Sequence, residues 1–286
     1  MENIKTLGVV GAGTMGSGIA QLAAQNDIRV LLYDNQPGAV KSALTKIQER
    51  LARALGRGQT SQNDIDRTLN NIHESSLESF KDAAVVIEAV VEVMEIKKSV
   101  FRELSGIVSP TAILATNTSS FSITELAGVT SRPEQVLGMH FFNPAPIMKL
   151  VEIVRGEDTG EEAVAVAQHL AAQMNKETVV VQKDTPGFIV NRILMPLFIE
   201  AMRILEEGVA TPQDIDKAVK LGLNHPMGPL TLADFTGLDV DLEVMDYLYN
   251  EFHDDRFAAP QILRRLVRAG HLGKKSYHGF YHYPTK

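Results

Sequence analysis

Two ionisable residues, His140 and Glu152, stand inside apolar segments that otherwise have the pattern of buried strands. Both lie in the stretch MHFFNPAPIMKLVEIV, one on each of two apolar runs that a proline-rich turn joins. Because burying an ionisable group costs free energy unless the group is paired, the placement indicates that the two side chains meet. A carboxylate on the far ring nitrogen would fix the histidine tautomer and stabilise its imidazolium, as a general base requires. The pattern leaves one alternative open, a solvent-facing histidine and glutamate on edge strands.

Three further residues have hydroxyl or amide groups that could bind the oxygen of a reacting substrate. Ser119 lies in the hydroxyl-rich stretch ATNTSSFSI, Asn143 follows the histidine run, and Asn191 lies in a later segment. Hydrogen-bond donors of this kind stabilise an oxygen on which charge develops. By itself, however, a hydroxyl cluster after a strand is more often a helix cap than part of a catalytic site.

A glycine-rich loop near the N terminus has the spacing of a dinucleotide-binding turn. The stretch GAGTMG places Gly11, Gly13 and Gly16 directly after an apolar strand pattern and at the start of a helical one. The first glycine permits the tight turn, the second lets a pyrophosphate approach the backbone, and the third lets helix and strand pack closely. The helix N-terminus then offers free N–H groups to the phosphates. We therefore expect this loop, including Thr14 and Met15, to bind a dinucleotide.

Asp34 ends the second predicted strand, at the position where dinucleotide-binding domains place an acidic residue. A carboxylate there accepts hydrogen bonds from the adenine-ribose hydroxyls and repels a 2′-phosphate, so NAD is predicted rather than NADP. FAD proteins share the glycine fingerprint and are a minor competitor. A glycine turn without a ligand is the remaining alternative, which the agreement of strand, helix and acidic residue disfavours.

These residues require a scaffold, and the chain has the alternating strand and helix patterns of βαβ units. Residues 37–57 have helical periodicity and a basic character. Such alternation predicts an α/β, Rossmann-like domain with a mainly parallel sheet. After the first strand, the predicted strands are 29–34, 83–90, 112–117, 136–142, 149–154 and 177–182.

The pattern changes near residue 184, where Thr185 and Pro186 have the form of a helix start. The following stretch, IVNRILMPLFIEAMRILEEG, is apolar on nearly every face, which is typical of a buried helix and could place it between two subunits. Helical patterns continue to the C terminus, with GFYHY as the one strand candidate. We therefore predict an NAD-binding domain at 1–184 and a mostly α-helical domain at 185–286.

The composition is that of a globular protein of about two domains, with 286 residues, 44% hydrophobic and 22% charged. A net charge of −7 argues against nucleic acid as the main partner. The absence of cysteine excludes disulfides, thiolate zinc sites and cysteine nucleophiles. No apolar run approaches the roughly 18 residues that span a membrane, and the N-terminal strand pattern leaves no room for a signal peptide. We therefore expect a cytoplasmic protein with no membrane partner.

The chain resembles the 3-hydroxyacyl-CoA dehydrogenase family, and most closely its bacterial short-chain members. The resemblance extends over nearly the whole chain and rests on the stretches GVVGAGTMGSGIA, IEAVVEVMEIKK, NTSSFSIT, MHFFNPAPIMKLVEIV, DTPGFIVNRILMPLFIEAM, NHPMGPLTLADFTGLD and GFYHY. It implies an NAD-dependent oxidoreductase that interconverts (S)-3-hydroxyacyl-CoA and 3-ketoacyl-CoA, with 3-hydroxybutyryl-CoA and acetoacetyl-CoA as the expected pair. It also implies that the helical domain binds substrate and forms a homodimer.

The resemblance further implies a role for individual residues. His140 would be the base and Glu152 its partner, with Ser119 and Asn191 near the substrate oxygen and Asn143 beside both nicotinamide and substrate. Contacts with the cofactor would come from the side chains of Glu92, Lys97, Ser119 and Lys275. The basic helix after the second strand would meet the CoA phosphates through Arg50 and Arg57, for which an ordinary solvated helix face is the alternative.

One segment departs from the family pattern. This chain has GHLGKKSYHGFYHY, in which Tyr277 and His278 replace small or basic residues and His282 stands where an acidic residue is common. With His271 these histidines could suggest a metal site, but no carboxylate joins them and we expect a polar tail without metal. Two other functions stay open: a dehydrogenase of a free 3-hydroxy acid or sugar acid, and a non-catalytic NAD-binding protein.

Overall fold

A computed structural model describes residues 2–285, whose backbone forms eight strands and eleven α-helices. The strands are β1 Thr6–Val10, β2 Arg29–Tyr33, β3 Ile72–Glu74, β4 Val85–Glu88, β5 Ile113–Thr116, β6 Val136–Phe141, β7 Leu150–Arg155 and β8 Glu177–Val181. The helices are α1 Thr14–Gln25, α2 Ala39–Leu55, α3 Gln62–Asn70, α4 Met94–Ile107, α5 Ile123–Ala127, α6 Glu161–Gln173, α7 Val190–Glu206, α8 Pro212–Gly222, α9 Pro229–Thr236, α10 Leu238–Phe252 and α11 Gln261–Arg268.

All eight strands form one sheet in the order β3-β2-β1-β4-β5-β6-β7-β8. Neighbouring strands are parallel except β6 and β7, which are antiparallel and joined by the proline-rich loop. The Rossmann-like class predicted from the alternating pattern is confirmed. The short strand β3 was missed because its sequence, IHE, has neither the length nor the apolar alternation of a predictable strand.

Both faces of the sheet are buried, as expected for a mainly parallel sheet. One face packs against α1, α2, α3 and α6 in a continuous core that includes Met139 and Ile153. Because side chains alternate along a strand, their neighbours His140 and Glu152 lie on the opposite face. The sheet therefore separates an apolar side from a side that carries polar groups.

The chain divides into two compact units, the first ending at Thr185 and the second beginning at Pro186. The second unit contains α7 to α11 around its own apolar core. Met1 and Lys286, the outer bounds of the predicted domains, lie outside the described residues. Among those described, no helix has the length and apolar content needed to cross a membrane.

Two expectations for the second unit are wrong. The helix predicted to start at Thr185 and Pro186 begins at Val190, because Gly187 and Phe188 adopt left-handed backbone angles, with φ of 73° and 50°. The strand candidate GFYHY forms no strand in the described structure, where only its His282 takes part in an isolated bridge, with His278.

Helix α7 itself is buried on one side within the chain, through residues such as Phe198 and Met202. Ile193, on the same helix, is 68% exposed. Its burial between two subunits stays a prediction.

Candidate active site

The antiparallel register of β6 and β7 places His140 directly opposite Glu152. Residues opposite each other in such a pair project from the same face of the sheet. His140 Nδ1 lies 2.7 Å from Glu152 Oε2, and the two residues are 6% and 0% exposed. Since a carboxylate only accepts, Nδ1–H is the donor and the lone pair of the neutral ring is on Nε2. The ring therefore has the tautomer that a general base needs.

The end of strand β6 is fixed by contacts on either side of the histidine. The backbone N–H of Phe141 donates to Asn117 Oδ1 at 3.0 Å, which ties β6 to the segment after β5. The Phe142 ring lies 4.5 Å from the imidazole, centroid to centroid. The carboxyl end of β6 is thus tied to the segment after the neighbouring strand, and packing restricts rotation of the imidazole.

A buried charge cluster occupies the carboxyl end of β4, on the same face of the sheet. Lys97 Nζ lies 2.8 Å from Glu88 Oε1 and 3.1 Å from Glu92 Oε2. Glu88 also accepts from Val90 N–H and Thr116 Oγ1, each at 2.7 Å. Lys97 is 1% exposed and Glu88 0%, so these hydrogen bonds offset a large cost of desolvation.

Glu88 was missed in the sequence, although a signal was present. It stands inside the apolar run VVIEAV just as His140 stands in its own strand, and the same burial argument applies to it. Alternation places Glu88, Thr116, His140 and Glu152 on one face of the sheet. This polar face was readable from the period-two pattern of four strands.

Ser119 and Glu92 lie together at this edge of the sheet. Glu92 Oε1 accepts the backbone N–H of Ser119 at 3.2 Å and also accepts a short hydrogen bond from the Thr118 hydroxyl. The structure thus brings three predicted residues, Glu92, Lys97 and Ser119, into one hydrogen-bonded group.

The glycine loop has the backbone conformation that its spacing predicts. Gly11 has φ of 101°, and a Cβ atom there would lie 2.5 Å from the carbonyl oxygen of Ala89. A Cβ atom on Gly16 would lie 1.8 Å from the carbonyl oxygen of Gly11, so only glycine allows α1 to approach the strand this closely. Gly13, the N-cap of α1, supplies no side-chain cap, and nothing lies within 4 Å of the position of its Cβ. The first N–H groups of α1 therefore face an open surface, which suits a pyrophosphate.

Asp34 is half-buried beside this loop. Its Oδ2 accepts the backbone N–H of Ala12 at 2.7 Å, and its Oδ1 accepts that of Gln36 at 2.9 Å. Because a carboxylate has about four acceptor positions, two remain for ribose hydroxyls. The loop and the acidic residue together fit an NAD molecule.

The residues predicted to bind CoA have different surroundings. Arg50 on α2 donates through Nε to Gln21 on α1 at 2.8 Å, while its Nη2 is buried and has no hydrogen-bond partner in the described part of the chain. Burial, and to a smaller extent the charge of Arg53, lowers the pKa of Arg50. Arg57 is exposed beyond the end of α2, and Asn143 is exposed after β6. None of these contacts identifies a ligand, so the binding of CoA phosphates by Arg50 and Arg57 stays a prediction.

Two predicted residues belong to the second unit. Asn191 lies in the first turn of α7, and Lys275 pairs with Asp239 of α10 at 2.6 Å. In the atypical C-terminal segment, the rings of His271 and His282 lie 3.7 and 4.0 Å from that of His278, centroid to centroid. The rings of His278 and His282 are stacked, whereas those of His271 and His278 are tilted by 34°.

The open helix N-terminus and the buried histidine–carboxylate pair fit an NAD-dependent oxidoreductase, and the family match confirms this class. Residues 6–185 match the family model described as 3-hydroxyacyl-CoA dehydrogenase, NAD binding domain, and residues 187–283 match the corresponding C-terminal domain. The chain therefore belongs to the 3-hydroxyacyl-CoA dehydrogenase family, which confirms the resemblance and NAD as the cofactor.

Relatives match over nearly the whole chain. A 3-hydroxybutyryl-CoA dehydrogenase of Clostridioides difficile is 45% identical over 278 residues, which cover 97% of this chain and 99% of the relative. A 3-hydroxyadipyl-CoA dehydrogenase of Escherichia coli (strain K12) is 44% identical over 98% of this chain and 59% of the longer relative. The crystal structure of (S)-3-hydroxybutyryl-CoA dehydrogenase from Ralstonia eutropha superposes with a TM-score of 0.94, at 43% identity and with 99% and 100% of the two chains covered.

Proposed function

We propose that the protein interconverts (S)-3-hydroxybutyryl-CoA and acetoacetyl-CoA with NAD as the hydride carrier. The observation that carries this proposal is the buried contact of 2.7 Å between His140 and Glu152. The substrate is inferred from relatives named 3-hydroxybutyryl-CoA dehydrogenase that match the chain end to end.

In the oxidative direction, His140 Nε2 takes the proton of the 3-hydroxyl group. Glu152 holds Nδ1–H throughout, so that it orients the ring and stabilises the imidazolium that forms. NAD⁺ held at the glycine loop would supply the acceptor for the hydride that leaves C3. In the reductive direction the imidazolium returns its proton to the oxygen, which makes the same pair a general acid.

The other polar residues proposed for the site would bind the substrate or the cofactor. Ser119 and Asn191 would hydrogen-bond the reacting oxygen, and Asn143 would contact both the substrate and the nicotinamide. The groups proposed to bind the cofactor are Gly11, Gly13, Thr14, Met15, Gly16, Asp34, Glu92, Lys97, Ser119, Asn143 and Lys275. Arg50 and Arg57 would bind the CoA phosphates. For Arg50, a buried guanidinium nitrogen that has no hydrogen-bond partner among residues 2–285 supports this role.

Three further parts of the proposal concern the whole molecule. The NAD-binding domain would span 1–184, and the domain for substrate binding and dimerisation would span 185–286. The protein would be a cytoplasmic homodimer, and the exposed apolar side chains of α7 and the segment before it support dimerisation through this region.

The test is a substrate panel assayed by NADH oxidation. We expect reduction of acetoacetyl-CoA and of longer 3-ketoacyl-CoA thioesters, with NADH strongly preferred over NADPH because of Asp34. Free 3-keto acids and sugar-derived acids, which lack the CoA moiety, should react at least about 10²-fold more slowly. Faster turnover of a free acid would replace this proposal with a dehydrogenase of that acid, and no turnover of any compound would favour a binding protein.

A further inference from the structure

Lys176 is a buried cation that none of the steps above uses. It is 8% exposed, and its ammonium donates to the backbone carbonyl oxygens of Ala145 at 2.8 Å and Met148 at 2.7 Å. The next residue, Glu177, donates its backbone N–H to the carbonyl of Lys149 at 2.9 Å. Three carbonyl groups of one loop are thus bound from two consecutive residues.

The backbone at the end of α6 holds the Cα atom of Lys176 in a fixed position. Asn175 adopts a left-handed φ of 56°, and its N–H donates to the carbonyl of Ala172 at 2.9 Å. The N–H of Lys176 reaches back to the carbonyl of Ala171, also at 2.9 Å. These two bonds form a Schellman motif, the regular way to end a helix, and strand β8 begins at the next residue. The ammonium therefore extends from a rigid junction.

The loop that Lys176 holds, residues 142–149, connects the strand of the base to the strand of its carboxylate and carries Asn143. Its other side packs against α1. Ala145 is 3% exposed, and a Cβ atom on Gly18 would lie 3.3 Å from that of Ala145 and 3.5 Å from Pro146. The loop therefore lies between a buried ammonium and the helix whose N-terminus faces the dinucleotide site.

The chemistry of the contact argues for positioning rather than for stability alone. Burial lowers the pKa of Lys176, which shows that the charged form is disfavoured there. No ion pair of Lys176 occurs among residues 2–285, so its ammonium is hydrogen-bonded to two neutral carbonyl groups and to no carboxylate. An apolar side chain of similar length would fill the space without that cost, but it could not hold two carbonyl groups in place.

We propose that Lys176 is a positioning residue for the dehydrogenase reaction, which it serves by fixing loop 142–149 and so the placement of Asn143 and of the facing ends of β6 and β7. The kinetic part of this inference rests on the proposed function. Misplacement of about 1 Å in a reacting geometry costs as much as 10²-fold in rate. The effect of losing the ammonium is therefore expected in kcat.

The first experiment compares Lys176→Met with Lys149→Met, an exposed lysine of the same loop. We expect kcat for acetoacetyl-CoA reduction to fall about 10- to 100-fold in Lys176→Met, with KM for acetoacetyl-CoA changed by less than about threefold. Lys149→Met should retain the kcat of the wild type. A folded Lys176→Met enzyme with kcat within about twofold of wild type would overturn the catalytic role.

The absence of cysteine in this chain permits a chemical rescue. Lys176→Cys is unfolded, alkylated with 2-bromoethylamine and refolded, which restores an ammonium at the same reach; alkylation with 1-bromopropane gives a neutral side chain of the same length. Wild type carried through the same steps is the control. The charged adduct should recover most of kcat and the neutral one should not. Equal recovery by both adducts would show that Lys176 only fills space.

Hydrogen exchange of residues 142–149 tests the positioning without any assay of the reaction. Lys176→Met should exchange the amides of this loop faster than wild type, whereas Lys149→Met should not. Unchanged exchange in Lys176→Met would contradict the proposal. If wild type fails to reduce acetoacetyl-CoA, the proposed function falls while hydrogen exchange still decides whether Lys176 holds the loop.

Discussion

At the scale of single residues, the proposed chemistry depends on a histidine that lies where an apolar side chain would pack at lower cost. His140 is 6% exposed, and Glu152, which faces it across the strand pair, is fully buried. Burying either group alone would cost free energy, but the two form a hydrogen bond, which keeps the proton of the neutral imidazole on Nδ1. In the proposed mechanism, this burial orients the base before the substrate binds.

Glu152→Gln tests the contribution of the negative charge beside His140, because it removes the charge and keeps the shape of the side chain. The amide oxygen can still accept from Nδ1–H, but it cannot stabilise the imidazolium, so we expect kcat to fall about 10²- to 10⁴-fold. KM for NADH should stay close to that of wild type. Steady-state kinetics with acetoacetyl-CoA checks this, with Glu177→Gln, an exposed residue at the start of β8, as the control. Equal kcat values in the two variants would remove the charge of Glu152 from the mechanism.

At the scale of elements, the sheet brings together residues that are far apart in sequence. Four strands contribute one polar group each to the same face, and α1 meets β1 through glycines that leave no room for a side chain. The proposed base and the N–H groups proposed to bind phosphate thus lie at the carboxyl ends of parallel strands, where open α/β sheets bind ligands.

Gly16→Ala tests the close approach of helix and strand. Its Cβ atom would lie 1.8 Å from the carbonyl oxygen of Gly11, so the loop or α1 must move. We expect NADH affinity to fall at least about tenfold, as measured by titration of NADH fluorescence. The control is Gly106→Ala in α4, where nothing lies within 4 Å of the new methyl group. Because alanine favours a helix over glycine, this variant should be more stable than wild type by up to about 1 kcal/mol. Unaltered NADH binding in Gly16→Ala would contradict the role of the loop.

Much of this arrangement was predictable from sequence because it follows local rules. Strand alternation, glycine spacing and the ionisable residues in apolar runs predicted the Rossmann-like class, the tight glycine turn and the contact between His140 and Glu152. Strand β3 was missed because three residues are too few to show the period-two alternation of apolar and polar side chains. The start of α7 was misplaced because the left-handed angles of Gly187 and Phe188 arise from tertiary packing, in which Leu248 lies against Gly187. Lys176 was missed because its partners are backbone carbonyl groups, which have no sequence signature.

At the scale of the whole molecule, the stability of the protein should depend on a carboxyl group in the second unit. Asp241 on α10 is 2% exposed, and both of its oxygens lie 2.8 Å from Thr236 Oγ1. Burial raises the pKa of Asp241 to about 8, although the contact with Thr236 opposes the shift. Between pH about 4 and 8, the native state therefore keeps a proton that the unfolded chain releases.

Stability should accordingly fall as pH rises through this window, by at most about 1.4 kcal/mol per pH unit from this group. Asp241→Asn removes the titration, so its free energy of unfolding should decline less steeply between pH 4 and 8 than that of wild type. Urea denaturation at several pH values measures the difference, with Glu243→Gln, an exposed residue on the same helix, as the control. Parallel pH profiles for wild type and Asp241→Asn would show that Asp241 ionises normally.

His140, the proposed base of this NAD-dependent 3-hydroxyacyl-CoA dehydrogenase, can be replaced to decide its role. The measurement is kcat for acetoacetyl-CoA-dependent oxidation of NADH by wild type and by His140→Gln, with NADH binding measured on both proteins. We expect NADH to bind both equally well and kcat to fall about 10²- to 10⁴-fold in the variant. A His140→Gln protein that binds NADH and turns over acetoacetyl-CoA at a near-normal rate would contradict the claim.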